Sequence, residues 1–193
     1  MNIVNVGYDS TNYYVLADKK PLLLVDVGWP GTLAKLQHQC QRMNIALTDI
    51  QHFLITHYHP DHAGLAQELR QMGSKLIVID FQIAAIPAMR SYMKPQNHYV
   101  EIDVTDTVQL SLADSSSYLA TLGIEGKIIA TPGHSDDSVT LILEDGSAFT
   151  GDLTHPAMIE DDPTSLLYQS WEKIRVEGVK TIYPGHGPIW QLP

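Results

Sequence analysis

One short run of this sequence holds an unusual density of side chains that bind metal ions. The run Thr-His-Tyr-His-Pro-Asp-His at positions 56–62 places three imidazoles and one carboxylate within six consecutive residues. Residues two apart on an extended segment point to the same side, so His57 and His59 can offer ring nitrogens to one cation. Asp61 and His62 are offset from that pair, at the start of an expected helix. The spacing therefore favours two neighbouring metal ions over one.

Three more residues of metal-ligand type come later in the chain, in Thr-Pro-Gly-His, Thr-Gly-Asp and Tyr-Pro-Gly-His-Gly. Each follows a predicted strand, as His57 does, and each has a glycine beside it that lets the backbone turn sharply. Strand ends on one edge of a sheet are where α/β proteins gather their chemistry. We expect seven ligands to converge on one rim, namely His57, His59, Asp61, His62, His134, Asp152 and His186.

Hydrophobic patterns predict the elements that must position these residues. Short apolar runs predict strands at 13–16, 22–25, 53–55, 76–79, 128–130, 139–143, 148–150 and 179–183. Apolar residues at spacings of three and four predict helices at 32–43, 63–72 and 164–176. Residues 81–99, interrupted by two prolines, are predicted to be a mobile cover over the metal edge rather than a core element, with a solvated helix packed on one face as the alternative. Within that cover, Arg90 and Lys94 are expected to attract a substrate carboxylate.

Length, composition and charge narrow the class of protein. The 193 residues contain no internal repeat or linker, which predicts a single domain over residues 1–193. Acidic residues outnumber basic ones by 22 to 12, and a net charge of −10 disfavours nucleic acid as a partner. There is no long apolar run and no signal-like start, so we expect a cytoplasmic protein with no membrane partner and a small-molecule substrate. Cys40 fits the apolar face of its helix, and the sequence leaves the oligomeric state open.

The HxHxDH run, followed by Gly-His, Gly-Asp and Gly-His-Gly in that order, resembles the signature of the metallo-β-lactamase superfamily. The resemblance extends from about Asp26 to Gly187 and implies an α/β fold, the four-layer αβ/βα sandwich, with its site along one edge. It implies a first metal bound by His57, His59 and His134, a second bound by Asp61, His62 and His186, a bridging Asp152, and support of the metal loop by Asp26.

This ligand set implies a metal-dependent hydrolase. Two cations about 3.5–4 Å apart can share a hydroxide that attacks a carbonyl, and by the same resemblance Asp61 orients that hydroxide. Imidazole and carboxylate ligands favour two zinc ions, with iron or manganese as alternatives. His155, three residues beyond Asp152, is a candidate for assisting the leaving group or oxyanion, although a plain loop residue is equally compatible with its position. Tyr168 is a weaker candidate for the same role.

Comparison with the branches of the superfamily favours a small thioester, lactone or related ester as substrate. The chain is acidic and lacks the RNA-binding arm of the nucleases. The β-lactamases that share this run generally lack the bridging aspartate seen here as Asp152. The flavoproteins have glutamate at the position of His59. Type II glyoxalases carry a C-terminal helical region for glutathione, whereas six residues follow Gly187 here, so we expect a compact glyoxalase-like hydrolase. Two alternatives remain open: a sulfur dioxygenase with one iron at His57, His59, His134 and Asp152, and a non-catalytic metal-binding module.

Overall fold

Two β-sheets form the middle of the protein, which a computed structural model describes over residues 1–193. In the first sheet, six strands lie in chain order, antiparallel from the first to the third and parallel from the third to the sixth. These strands are β1 (Asn2–Asn5), β2 (Tyr14–Ala17), β3 (Pro21–Val25), β4 (His52–Leu54), β5 (Lys75–Ile79) and β6 (Val108–Leu110).

The second sheet has five strands: β7 (Gly126–Ala130), β8 (Val139–Leu143), β9 (Ser147–Gly151), β10 (Thr181–Pro184) and β11 (Trp190–Gln191). Their order is β11-β10-β9-β8-β7, and only the β9/β10 pair is parallel. The carboxyl ends of β9 and β10 therefore meet at the same edge of this sheet.

The helices flank the sheets, and none of them combines the length and apolar character that a bilayer crossing requires. The α-helices are α1 (Leu33–Arg42), α2 (Pro60–Ala63), α3 (Ala66–Gln71), α4 (Ser115–Thr121) and α5 (Leu166–Val176). Shorter-pitched 3₁₀ helices span Leu47–Asp49, Asp80–Tyr92, Pro95–Asn97 and Pro156–Met158.

Three separate apolar cores give the protein four layers. Neighbouring residues of β3 illustrate why, because strand side chains alternate between faces. Leu24 packs with α1 and α3, whereas Leu23 and Val25 pack against the second sheet. A third core lies between the second sheet and α5, around Trp171. This arrangement of helix, sheet, sheet and helix confirms the predicted four-layer α/β sandwich.

Most predicted elements are present, with two differences near the site. The helix predicted at 63–72 begins earlier, at Pro60, and is divided into α2 and α3 around Gly64 and Leu65. Pro60 occupies the first turn, where its missing N–H costs no helical hydrogen bond. This earlier start places Asp61 and His62 on α2 itself.

The prediction that residues 81–99 stay out of the core is wrong, although the segment does reach the metal edge, where the Tyr92 ring lies 5.6 Å from that of His59. Ile86 and Met89 are buried in the largest core, and Ile83 packs against it. Their spacing of three matches the 3₁₀ period of Asp80–Tyr92, a pattern that a search for the α-helical period does not detect. Arg90 pairs with Glu101 at 3.2 Å on the surface, and the expectation that it recruits substrate stays a prediction.

Candidate metal centre

All seven predicted ligand residues lie together at the carboxyl edge of the sheets. The strands β4, β7, β9 and β10 end just before His57, His134, Asp152 and His186, respectively. Since β9 and β10 run parallel, Asp152 and His186 emerge side by side, with Asp152 Oδ2 3.3 Å from His186 Nε2. The ligand-type atoms fall into two groups, within each of which every atom is within 4.8 Å of the others.

The first group contains His57, His59 and His134. Nε2 of His134 lies 3.0 Å from Nδ1 of His59, and the ring of His57 lies 4.6 Å and 4.7 Å, centroid to centroid, from the rings of His59 and His134. Three imidazoles with converging nitrogens suit a tetrahedral ion that keeps one open position.

The second group contains Asp61, His62, Asp152 and His186. Asp61 Oδ2 lies 3.0 Å from His186 Nε2 and 3.5 Å from His62 Nε2. Asp152 faces both groups, because its Oδ1 is 3.1 Å from His62 Nε2 and its Oδ2 is 3.7 Å from His134 Nε2. A carboxylate in this position can offer one oxygen to each of two cations.

Unpartnered polar atoms indicate that this cluster fits a cation. Five buried side-chain nitrogen or oxygen atoms in the protein lack a hydrogen-bond partner, and three of them are His57 Nε2, His62 Nε2 and Asp152 Oδ1. The 3.1 Å approach of His62 Nε2 to Asp152 Oδ1 is an ion-pair contact that lacks the alignment of a hydrogen bond. Such orphan atoms are uncommon in proteins and costly to bury. Their concentration among converging donors is the arrangement expected of metal ligands.

The opposite nitrogens of three rings are already held by the protein. His62 Nδ1 donates to Asp26 Oδ2 at 2.9 Å, His186 Nδ1 donates to the Ser10 carbonyl at 2.6 Å, and His57 Nδ1 donates to Thr56 Oγ1 at 3.2 Å. Each bond fixes the ring so that Nε2 faces the cluster, as partners of metal-binding histidines commonly do.

Asp26 connects these supports. Its φ of +60° places it in the left-handed region, and its side chain is buried beneath the run at 56–62. Besides His62, it accepts hydrogen bonds from the Thr56 N–H at 2.8 Å and from Thr56 Oγ1 at 2.8 Å. The geometry therefore agrees with the supporting role that the resemblance implied.

The protonation states in the cluster follow from burial and mutual charge. Burial, together with the neighbouring imidazoles, lowers the pKa of His57, so this ring is neutral. Burial alone would lower the pKa of His62, but Asp26, Asp152 and Asp61 outweigh it and raise that pKa well above its ordinary value. The same contacts with His62 overcome burial and lower the pKa of Asp61 and of Asp152. A neutral imidazole and ionised carboxylates are the forms that bind metal, whereas His62 would exchange its proton for a cation.

Two glycines permit the close packing of the ligand loops. A Cβ at Gly185 would lie 2.5 Å from Asp152 Oδ1 and 2.7 Å from His62 Cε1. A Cβ at Gly151 would lie 2.5 Å from Thr56 Oγ1, and the φ of +54° there also favours glycine. The glycines beside the ligands thus serve close approach as well as turning.

Sequence reasoning missed a buried clamp between two ligand loops. The Gln82 amide nitrogen donates to the carbonyls of Ile55 and Asp137, at 3.2 Å and 2.9 Å. Asp137 in turn accepts the Tyr58 N–H at 2.7 Å. Gln82 is fully buried, yet it lies in the segment predicted to be a cover, so no local pattern in the sequence indicated this function.

The candidates for acid or oxyanion assistance separate in space. His155 lines a cavity that it shares with His134, Asp152 and His186, whereas Tyr168 lines a different groove between α5 and β7. That groove is larger, at about 810 Å³ against about 510 Å³, but it holds none of the seven ligand-type residues. Lys94 and Arg90 are also absent from the lining of the cavity at the cluster.

Comparison with known proteins matches the sequence to one family. The sequence model described as the Metallo-beta-lactamase superfamily matches residues 6–186. A metallo-beta-lactamase family protein from Thermus thermophilus is similar in structure, with a TM-score of 0.75 and 19% identity over 98% of this chain and 74% of that one. At that identity the likeness shows the fold alone.

Three curated relatives are similar over most of this chain. A beta-lactamase-like protein 2 homolog of Drosophila melanogaster is 25% identical over 95% of this chain and 60% of its own length. An atrochrysone carboxyl ACP thioesterase of Aspergillus fumigatus is 29% identical over 93% of this chain and 51% of its length. A probable metallo-hydrolase of Methanocaldococcus jannaschii is 26% identical over 95% of this chain and 90% of its length. The chain thus spans only about half to 60% of the first two of these relatives.

Proposed function

Because the chain belongs to the metallo-beta-lactamase superfamily, we propose that it is a dinuclear metal-dependent hydrolase of a small thioester, lactone or related ester. The observation that carries the proposal is the division of seven ligand-type side chains into two adjoining groups around Asp152. Orphan buried atoms on His57, His62 and Asp152 support the same assignment.

In the proposed arrangement His57, His59 and His134 would hold one cation, Asp61, His62 and His186 would hold the other, and Asp152 would serve as a ligand to both. Imidazole and carboxylate donors favour zinc, with iron or manganese as the alternatives. When bound, two such cations supply an activated water and electrophilic assistance to a carbonyl. Side chains of the protein must orient the attacking water and assist the leaving group.

Asp61 is proposed to orient the attacking water. Thr11 Oγ1 donates to Asp61 Oδ2 at 3.2 Å, which holds the carboxylate while its pKa remains below the ordinary value. An ionised carboxylate at this position accepts a hydrogen bond from the water and directs a lone pair at the substrate carbonyl. Thr11 therefore acts through Asp61 rather than on the substrate.

His155 is proposed to assist the departing thiol or alcohol. Its Nδ1 accepts the Ala157 N–H at 3.1 Å, so in the neutral ring the proton resides on Nε2. The ring also packs on Trp190 at 4.3 Å between centroids, which limits its orientations. A donor fixed in the wall of the shared cavity can hydrogen-bond to a developing anion.

Relatives support the thioester branch of the proposal. The Aspergillus fumigatus protein is named as a thioesterase and the Methanocaldococcus jannaschii protein as a metallo-hydrolase. The second group of ligand-type residues favours two ions over the single iron of a sulfur dioxygenase.

The proposal is tested by metal analysis of the purified protein together with a screen of thioesters, lactones and phosphodiesters. We expect about two ions of zinc, iron or manganese per chain and hydrolysis of a thioester or lactone. One iron with no hydrolysis would favour the dioxygenase, and bound metal without any turnover would favour a binding module. His59→Ala and Asp61→Ala should each lower the metal content and abolish turnover, because each removes one proposed ligand. Full activity in either variant contradicts the assignment.

A further inference from the structure

A cavity of about 510 Å³ opens directly beside the proposed metal centre. Its volume lies within the range of small-molecule binding sites. Its lining includes the cluster residues His134, Asp152 and His186 together with four apolar side chains, here called the apolar wall: Leu153, Met158, Ile182 and Trp190. A molecule whose reacting bond lies at the cluster would therefore place the rest of its length against this apolar wall.

The wall combines a fixed and an adaptable surface. Trp190 is half-buried and its ring packs between His155, at 4.3 Å, and Trp171, at 5.7 Å. Met158 is 78% exposed, which is a high exposure for an apolar side chain adjoining a cavity. An unbranched thioether adapts readily to alkyl groups of different length.

The apolar part of the cavity has no positively charged side chain. No lysine or arginine lines the cavity, and its histidines are His155 and the cluster members His134 and His186. A carboxylate or phosphate at the far end of a substrate chain would therefore be desolvated without a counter-ion.

We propose that this cavity binds an uncharged aliphatic acyl chain of the substrate, with the acyl carbonyl placed at the metal cluster. The proposal deepens the hydrolase assignment and rests on it for the position of the carbonyl. It names Trp190 and Met158 as residues that determine specificity for chain length, and it distinguishes this chain from enzymes that select their substrates by a terminal carboxylate or phosphate.

Binding is measured first, without turnover. Non-hydrolysable S-ethyl, S-butyl and S-hexyl thioethers of N-acetylcysteamine are titrated into the metal-loaded protein by calorimetry. A buried methylene strengthens binding by at most about fourfold, so we expect Kd to fall by at least about tenfold from ethyl to hexyl. A thioether of matched length that ends in a carboxylate should bind at least about tenfold more weakly than S-hexyl. Equal Kd values across the series, or equal Kd for the carboxylate, overturn the inference.

Hydrolysis of the acetyl, butanoyl and hexanoyl thioesters of N-acetylcysteamine then separates the two proposals. If kcat/KM rises with chain length, both proposals are supported. Graded thioether binding without hydrolysis of any thioester or lactone contradicts the hydrolase assignment and leaves the cavity assignment supported. Hydrolysis at equal kcat/KM with equal thioether binding overturns the cavity assignment alone.

Two variants test the wall itself. Met158→Ser and Trp190→Ala should each reduce the ethyl-to-hexyl ratio of Kd values by at least about threefold, because each removes apolar surface from the wall. Met158 is exposed, so its replacement leaves folding intact even if Trp190→Ala destabilises the protein. Met43→Ser is the matched control, since Met43 is 48% exposed and lies outside the cavity lining. An unchanged ratio in Met158→Ser refutes the proposed role of that side chain.

Discussion

Replacing Gln82 by methionine tests whether the buried amide holds two ligand loops together. The Gln82 amide donates to carbonyls of Ile55, just before His57, and Asp137, just after His134. Methionine has a similar length and is apolar, so the variant fills the same space while leaving both carbonyls without this donor and the Ile79 N–H without its acceptor, Gln82 Oε1. A buried polar group that loses its partner costs about 1–3 kcal/mol. For three such groups, at the lower end of that range, we expect the free energy of unfolding to fall by about 3 kcal/mol.

That loss has two measurable consequences. In a chain of this length 1 kcal/mol shifts Tm by about 2–4 °C, so Gln82→Met should lower Tm by about 6–12 °C in calorimetry. Its affinity for zinc, measured by chelator competition, should fall by about tenfold or more, as for other residues that orient metal ligands. Gln96→Met is the control, because Gln96 belongs to the same segment but is exposed. A Tm within about 2 °C of the parent, together with unchanged zinc affinity, would refute the reasoning.

Three further changes probe the cluster from other directions. Gly185→Ala places a methyl group against Asp152 and His62, so it should lower the metal content and reduce the free energy of unfolding by about 1–3 kcal/mol. Gly187→Ala is the control: φ is +80° there, but the added methyl group meets open space, so this variant should retain metal. Equal metal content in both variants contradicts the steric argument. His155→Ala should leave two metals bound and reduce kcat, and a loss of metal in inductively coupled plasma analysis would show that His155 is a ligand. Free metal at 100 times Kd should stabilise the folded protein by about 2.7 kcal/mol, so removing the metal with a chelator should lower Tm by about 5–11 °C. An unchanged Tm would argue against metal binding at the folded cluster.

The fold and the position of the site could be predicted because both depend on local signals. Alternation in β3 assigns Leu23 and Leu24 to opposite faces, and each residue packs in the core that its face predicts. The candidate ligands stand out because imidazoles cluster at 57–62 and the remaining members follow strands. Whether they bind metal stays a prediction, but their convergence at one edge follows from strand direction.

The features that sequence could not supply depend on distant contacts. Gln82 joins residues 27 and 55 positions away, and no pattern near it marks that function. Ser10 supports His186 across 176 positions of chain. Strand β11 is only two residues long, yet it positions Trp190 at the cavity. Such relations arise from packing of completed sheets, so neither periodicity nor residue type reveals them.

The negative charge of the carboxylates at the candidate metal centre bears on which substrates the neighbouring cavity can bind. Three carboxylates, those of Asp26, Asp61 and Asp152, contact His62, and they draw its pKa upward because the protein supplies no lysine or arginine there. Bound metal cations would neutralise these carboxylates more fully than a protonated His62 does, and they would provide the electrophile that hydrolysis requires. The cavity beside them carries no compensating positive side chain. An acidic protein can thus concentrate cations at one edge and still bind the rest of its substrate through apolar contact, which is why an uncharged acyl chain fits the apolar part of the cavity better than a chain that ends in an anion.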